Sequence, residues 1–240
     1  MRIPNEISEY LEELGDILEK NKFIKDTGPL RKSRTQFQKD PSKYSVTGLE
    51  FKTAVGEFVR GGVWDSELDI KMSADIEVTG DFEFSNASKM VVNIEYSCLD
   101  ESGAKECKGC WHMDYHVMPG APAYMHPDFH LHHGGRKINS LVDYGELVIL
   151  DNPRVMHHPL DVFLAIDFII TNFYPEKEWK KLRADNRYKN IMFKAQTSWW
   201  KPYYEQLASY WSHHATAKKV GASKKVVDDA KKLNPQLLHL

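Results

Sequence analysis

Three successive stretches of this chain alternate apolar and polar side chains with a period of two, and that period belongs to strands rather than helices. Trp64, Ser66, Leu68, Ile70 and Met72 interleave with Asp65, Glu67, Asp69 and Lys71. Ile76, Val78, Phe82 and Phe84 interleave with Glu77, Thr79, Asp81 and Glu83, and Val92, Ile94 and Tyr96 with Asn93, Glu95 and Ser97. Each stretch reads as a half-buried antiparallel strand, one face toward a core and one toward water.

Ser102-Gly103 is a tight-turn signal between Met90–Glu101 and Ala104–Val117. A hairpin about it sets Cys98 opposite Cys107, Glu95 opposite Cys110 and Asn93 opposite His112. Val92, Ile94 and Tyr96 then meet Met113, Trp111 and Gly109. A slip of one residue would expose that apolar set, so the pattern selects the register.

Helical periodicity brackets the strands. Ile3, Ile7, Tyr10, Leu11, Leu14, Ile17 and Leu18 recur every three or four residues. Residues 22–46 are polar and basic, broken by Gly28-Pro29 and Asp40-Pro41, and read as a solvated connector or a phosphate-contacting arm. A short helix or strand is expected around Phe51–Val59, and a further strand near Leu141–Leu150. From Pro159 onward helices are expected: an apolar one over Asp161–Phe173, a basic one over Lys177–Arg187, an aromatic one over Ile191–His214 and a last one over Lys218–Leu233. The fold class is α+β, an antiparallel sheet covered on one face by an N-terminal helix and a C-terminal helical segment. Residues 1–158 would form the helix and sheet, and residues 159–240 the helices packing on them, as one domain.

With 240 residues, 42% of them hydrophobic and 28% charged, the chain has material for a sizeable core. A net charge of −2 gives no overall basic field. The N-terminus lacks a secretory pattern, Leu160–Tyr174 is too short to span a bilayer, and three cysteines is an odd number. These features point to a reducing cytoplasm and no membrane. There is no phosphate loop, dinucleotide fingerprint, Gly-x-Ser-x-Gly elbow or His-Glu-x-x-His helix, so no nucleotide cofactor is expected.

Chemistry concentrates between residues 110 and 133, which hold six of the eleven histidines. Alternation puts Cys110, His112, Asp114 and His116 on one strand face, and His130 and His132 on one face of the next strand. Solvated sheet faces are ordinarily Lys, Thr, Glu and Ser. His112, Asp114, His116 and His132 could form a two-histidine, one-carboxylate set for a divalent ion such as Zn, Mn or Mg. Without metal, His130 and His132 could act as an acid–base pair, with Asp114 and the catalytic candidate His116 orienting the base: one imidazole takes a 2′-hydroxyl proton and another protonates the leaving oxygen. Glu95 would stand behind the cluster. Arg136, Lys137 and Arg154 would neutralise an anionic substrate, with Arg136 holding phosphate. Structural histidines bonding loop carbonyls are the plain alternative.

Cys98, Cys107, Cys110 and His112 offer a zinc-type set that would stabilise a scaffold, although strand alternation divides Cys107 from Cys110. The aromatic run Trp199–Trp211 has the spacing of helix core, with base stacking as the other reading. Asp167 lies in an apolar helix and needs a partner if buried, with Arg154, His157 and His158 as candidates.

Asp114-Tyr115, His130-Leu-His132-His133-Gly134-Gly135, Arg154 and Ile166–Tyr174 occur in an order that resembles an uncharacterised bacterial family. It is one of the domains of unknown function, with an Asp-Tyr strand, a His-x-His-x-Gly motif and a terminal Phe-Tyr helix. The resemblance covers residues 90–175. It implies a place in toxin-like or phage-defence loci and a nucleic-acid-directed role. Two functions are expected from these features together. One is a phosphodiesterase or nuclease; the other is a non-catalytic subunit of a bacterial defence complex that binds a partner protein or nucleic acid. Self-association is compatible with either.

Overall fold

The structure is a computed structural model, and it describes residues 4–54, 67–99, 102–115, 125–134, 155–217 and 221–237. Two helices open the chain, α1 (Pro4–Lys20) and α2 (Gly28–Lys39). Six strands follow: β1 (Lys43–Ala54), β2 (Glu67–Val78), β3 (Ala87–Leu99), β4 (Glu106–Tyr115), β5 (Phe129–His133) and β6 (Val155–Met156). Four helices close it: α3 (Val162–Phe173), α4 (Glu176–Ala184), α5 (Asn186–His213) and α6 (Ala222–Leu233). The strands pair in chain order, each antiparallel to the next, as one six-stranded meander. The fold is α+β, as the alternation and the helical ends predict. Among the described residues, no helix is long and apolar enough to cross a membrane.

The hairpin register comes out as expected, with Cys98 opposite Cys107, Glu95 opposite Cys110 and Asn93 opposite His112. Gly109 lies opposite Tyr96 because nothing larger fits there. A Cβ at that position would stand 2.2 Å from the tyrosine ring.

Other elements differ from expectation. The first and second segments of alternation do not divide as read: Leu68, Ile70, Met72, Ala74, Ile76 and Val78 lie on one continuous strand, β2. Phe82 and Phe84 belong to the turn after it, where Phe82 packs on Phe37 and Tyr44. The polar segment 22–46 contains a whole helix and the start of β1. In α2 only Leu30, Ser33 and Phe37 are buried, a thin stripe, and Pro29 sits in the first turn, where its missing N–H costs nothing. In β1 the buried set shifts from Tyr44 and Val46 to Leu49 and Phe51 across a bulge. Gly48 takes a φ of +68° at that bulge, a conformation suited to glycine. The expected strand near Leu141–Leu150 lies outside the described residues.

The core forms where the apolar face of the meander meets the helices. α1 contributes Ile7, Leu11, Leu14 and Leu18, and α5 contributes Ile191, Ala195, Trp199 and Tyr203. α3 is buried around most of its circumference, from Val162 to Ile170, with Asp161 capping it by accepting from the Leu164 N–H. Each large apolar side chain so buried contributes about 1.5–3 kcal/mol. Asp167, inside this apolar helix, is held by the Arg183 guanidinium and by the Tyr188 hydroxyl at 2.9 Å. Its partners are thus on α4 and α5, one and two elements downstream. His157 and His158 bond elsewhere, and Arg154 lies outside the described residues.

The opposite face of the sheet is polar. Lys52 pairs with Glu67 and Asp69, and Lys89 with Asp75, which gives the β1–β3 end alternating charges. At the β4–β5 end the charges give way to histidines.

Candidate functional site: a His–Asp–His row on β4 and β5

β4 and β5 are direct neighbours, with His112 opposite His132 and Asp114 opposite His130. Side chains two apart on a strand share a face. The four groups therefore converge on one patch, and Asn93 of β3 joins it from across His112.

Asp114 is the hub. Its Oδ2 accepts from His112 Nε2 at 3.1 Å, and its Oδ1 lies 2.7 Å from His130 Nε2. The second contact is short but poorly aligned for a hydrogen bond. Burial by itself would raise the Asp114 pKa. The bonds and charges of His112 and His130 outweigh it and hold the carboxyl well below the usual carboxylate range. His112 Nδ1 is 2.7 Å from Asn93 Oδ1, so both of its ring nitrogens are engaged. His130 is 2% exposed, donates from Nδ1 to the Pro127 carbonyl at 3.0 Å, and turns Nε2 to Asp114. His132 is half-buried, its ring 4.7 Å from that of His112 and stacked 5.9 Å from that of His130.

Three further histidines border the cluster. His126 stands edge-on to His130 at 4.4 Å. His157 and His158, at the junction of β6 and α3, line with Asp114 and His130 a cavity of about 10 Å³, room for one water. Burial pushes the His158 pKa down to about 4, helped by the charge of His157. Its Nδ1 is 3.0 Å from the Tyr204 hydroxyl, and its ring packs on Trp200. Sequence reasoning named neither His126 nor the His157-His158 pair for the site. The pair is more than 20 residues from the motif, and period-two logic cannot carry across that distance.

The other named residues fall as follows. Glu95 shares the polar face but lies one row away, lining a groove with Glu50, Lys71 and Lys108 rather than touching the histidines. His133 points to the other face and bonds the Tyr96 hydroxyl at 2.8 Å. His116, Arg136, Lys137 and Arg154 lie outside the described residues. Cys98 and Cys107 share the core face, while Cys110 and His112 are on the opposite one, so the four cannot converge on one zinc.

Among the described residues, no group of three His, Cys, Asp or Glu side chains is arranged to hold a metal ion. His112 and Asp114 are turned onto each other instead of toward a shared point, so the described part of the His112, Asp114, His116 and His132 set does not fit a divalent ion. Compared with known proteins, the chain matches no family model, no curated protein and no solved structure.

Proposed function

We propose that the chain is a phosphodiesterase or nuclease acting on nucleic acid, working by acid–base chemistry at the His112–Asp114–His130–His132 cluster. The observation that carries this reading is the Asp114 carboxylate, kept ionised between two imidazoles with a third stacked beside them. Clusters of strongly perturbed titratable groups mark functional sites more often than structural ones. RNA suits the set best, because transfer to a neighbouring 2′-hydroxyl needs a base and an acid and no added nucleophile. One imidazole takes the 2′-hydroxyl proton, that oxygen attacks phosphorus, and a second imidazole protonates the departing 5′-oxygen, leaving a cyclic phosphate. Asp114 fixes the orientation and charge of His112 and His130. His132 and His116 are the rings assigned to the two proton transfers, and Arg136, Lys137 and Arg154 are the candidate phosphate contacts. The resemblance at residues 90–175 supports a bacterial defence or toxin-type setting for this activity.

A second reading is favoured by one observation: both nitrogens of His112 and both of His130 already face a partner in this chain. A set so self-satisfied suits a non-catalytic subunit whose polar sheet face grips a partner protein or nucleic acid. The test is cleavage of labelled single-stranded RNA and DNA by wild type, His132→Ala and Asp114→Asn, with melting temperatures alongside. The enzyme reading expects RNA cleavage that falls about a hundredfold or more in each variant, with His132→Ala melting like wild type. Absence of cleavage by wild type, or equal cleavage by all three, removes it and leaves the binding subunit.

A further inference from the structure

The aromatic run on α5 divides between two surfaces. Trp199, Tyr203 and Tyr210 enter the core, while Phe193, Tyr204 and Trp211 are 66%, 49% and 67% exposed. At 3.6 residues per turn, Phe193, Trp200, Tyr204 and Trp211 fall within about 20° of one line along the helix, a stripe about 27 Å long. Trp200 is anchored at its middle, the indole N–H donating to the Pro159 carbonyl at 2.8 Å. Three water-facing aromatics along one helix face, with the half-buried Trp200 between them, make the kind of surface that association uses.

The stripe reads the same in both directions from Pro202: two residues to Trp200 and to Tyr204, nine to Phe193 and to Trp211. A row symmetric in spacing suits a two-fold contact between identical chains, because pairing about Pro202 then sets aromatic on aromatic at every step. Charge agrees with this. Lys201 and Glu205 flank the stripe on one side, 65% and 66% exposed and 4.0 Å apart, a loose pair within one chain. Antiparallel α5 helices would set Lys201 of each copy beside Glu205 of the other.

We propose that this face of α5 docks a second copy of the chain, as an antiparallel helix pair centred on Pro202. Phe193 of one copy packs on Trp211 of the other, and Trp200 on Tyr204. One helix pair lies at the small end of specific interfaces, roughly 1,200 Å² in total or less, so the dimer forms at micromolar rather than nanomolar concentration.

Sedimentation equilibrium between about 1 and 100 µM chain tests it. The weight-average mass is expected to climb from one chain toward two, and Trp211→Glu to remain at one across the range with an unchanged melting temperature. Lys201→Glu is expected to weaken association several-fold, and the Lys201→Glu, Glu205→Lys exchange to restore it. A wild type that stays monomeric at the highest concentration overturns the proposal, as does a Trp211→Glu variant that dimerises normally. Failure of the charge exchange to restore association overturns the antiparallel pairing. A monomeric wild type that binds single-stranded RNA through Trp211 assigns the stripe to base stacking instead, which also overturns it.

Discussion

Asp128 and His158 oppose each other in acid. Burial pushes the Asp128 pKa up to about 6, against the pull of Lys232 and His130, while an unfolded aspartate titrates near 3.9. Between those values the folded chain binds more protons than the unfolded one, so stability from this group falls as pH rises and the penalty is complete above pH 6. His158, pushed down to about 4 from an unfolded value near 6.5, does the reverse. Its unfolded form binds more protons between 4 and 6.5, so the stability of keeping it neutral is full above 6.5 and lost as pH falls to 4. Asp128→Asn is therefore expected to raise the melting temperature at pH 7–8 and to leave it unchanged below about pH 4. It should also steepen the acid decline between those limits, because His158 is then unopposed. Melting curves at half-unit pH steps check this, and a gain that is constant across pH would refute it. Asp114, with its pKa depressed, acts in the same sense as His158 at lower pH: its contribution is present above the unfolded value and is lost as pH falls below it.

At the scale of elements, strict alternation is what made strands legible. β3 and β4 could be registered residue by residue because Val92, Ile94 and Tyr96 tolerate one set of partners. That register also brought Asn93 against His112 and put the candidate histidines on one face. β1 was illegible for the opposite reason, since the bulge at Gly48 reverses the parity of its buried residues and hides the period. α2 buries too few apolar residues to announce a helix. The partners of Asp167 could not be read either. Arg183 and Tyr188 are 16 and 21 residues away, and they reach it only because α4 and α5 fold back along α3. This joint gives a prediction at its own scale. Asp167→Ala leaves the Tyr188 hydroxyl buried without its acceptor and frees Arg183, so the loss is expected to be about 2–4 kcal/mol. Denaturant unfolding measures it, and a loss under about 0.5 kcal/mol would mean that the three helices are held by packing alone.

Across the whole molecule, the pattern of legibility follows chain distance. The cluster residues Asn93, His112, Asp114, His130 and His132 come from three consecutive strands; alternation gave the two histidine faces and the Asn93–His112 register, while the pairing of β4 with β5 came from the structure. His157 and His158, whose positions depend on the start of α3, were not legible. The two faces of the sheet thus have different histories. The polar face is completed by strands pairing with their own sequence neighbours, and the apolar face is completed only by helices after residue 159. A chain ending at residue 158 is expected to keep the means to form the meander while leaving Met113, Phe129 and their neighbours without α3 and α5 above them. Such a fragment should aggregate on expression, as judged by its partition between supernatant and pellet. A soluble, monodisperse fragment would show that α1 and α2 suffice to cover the sheet.

The meander carries a consequence for synthesis. Because each described strand pairs with the described strand before it, the histidine row can be assembled while the ribosome is still translating the helices that will shelter its reverse side. For that interval the nascent chain is a finished site on an unfinished protein, its apolar face open to any neighbour. The order of translation thus makes the last eighty residues, which contribute few groups to the candidate chemistry, the part on which the yield of intact protein most depends.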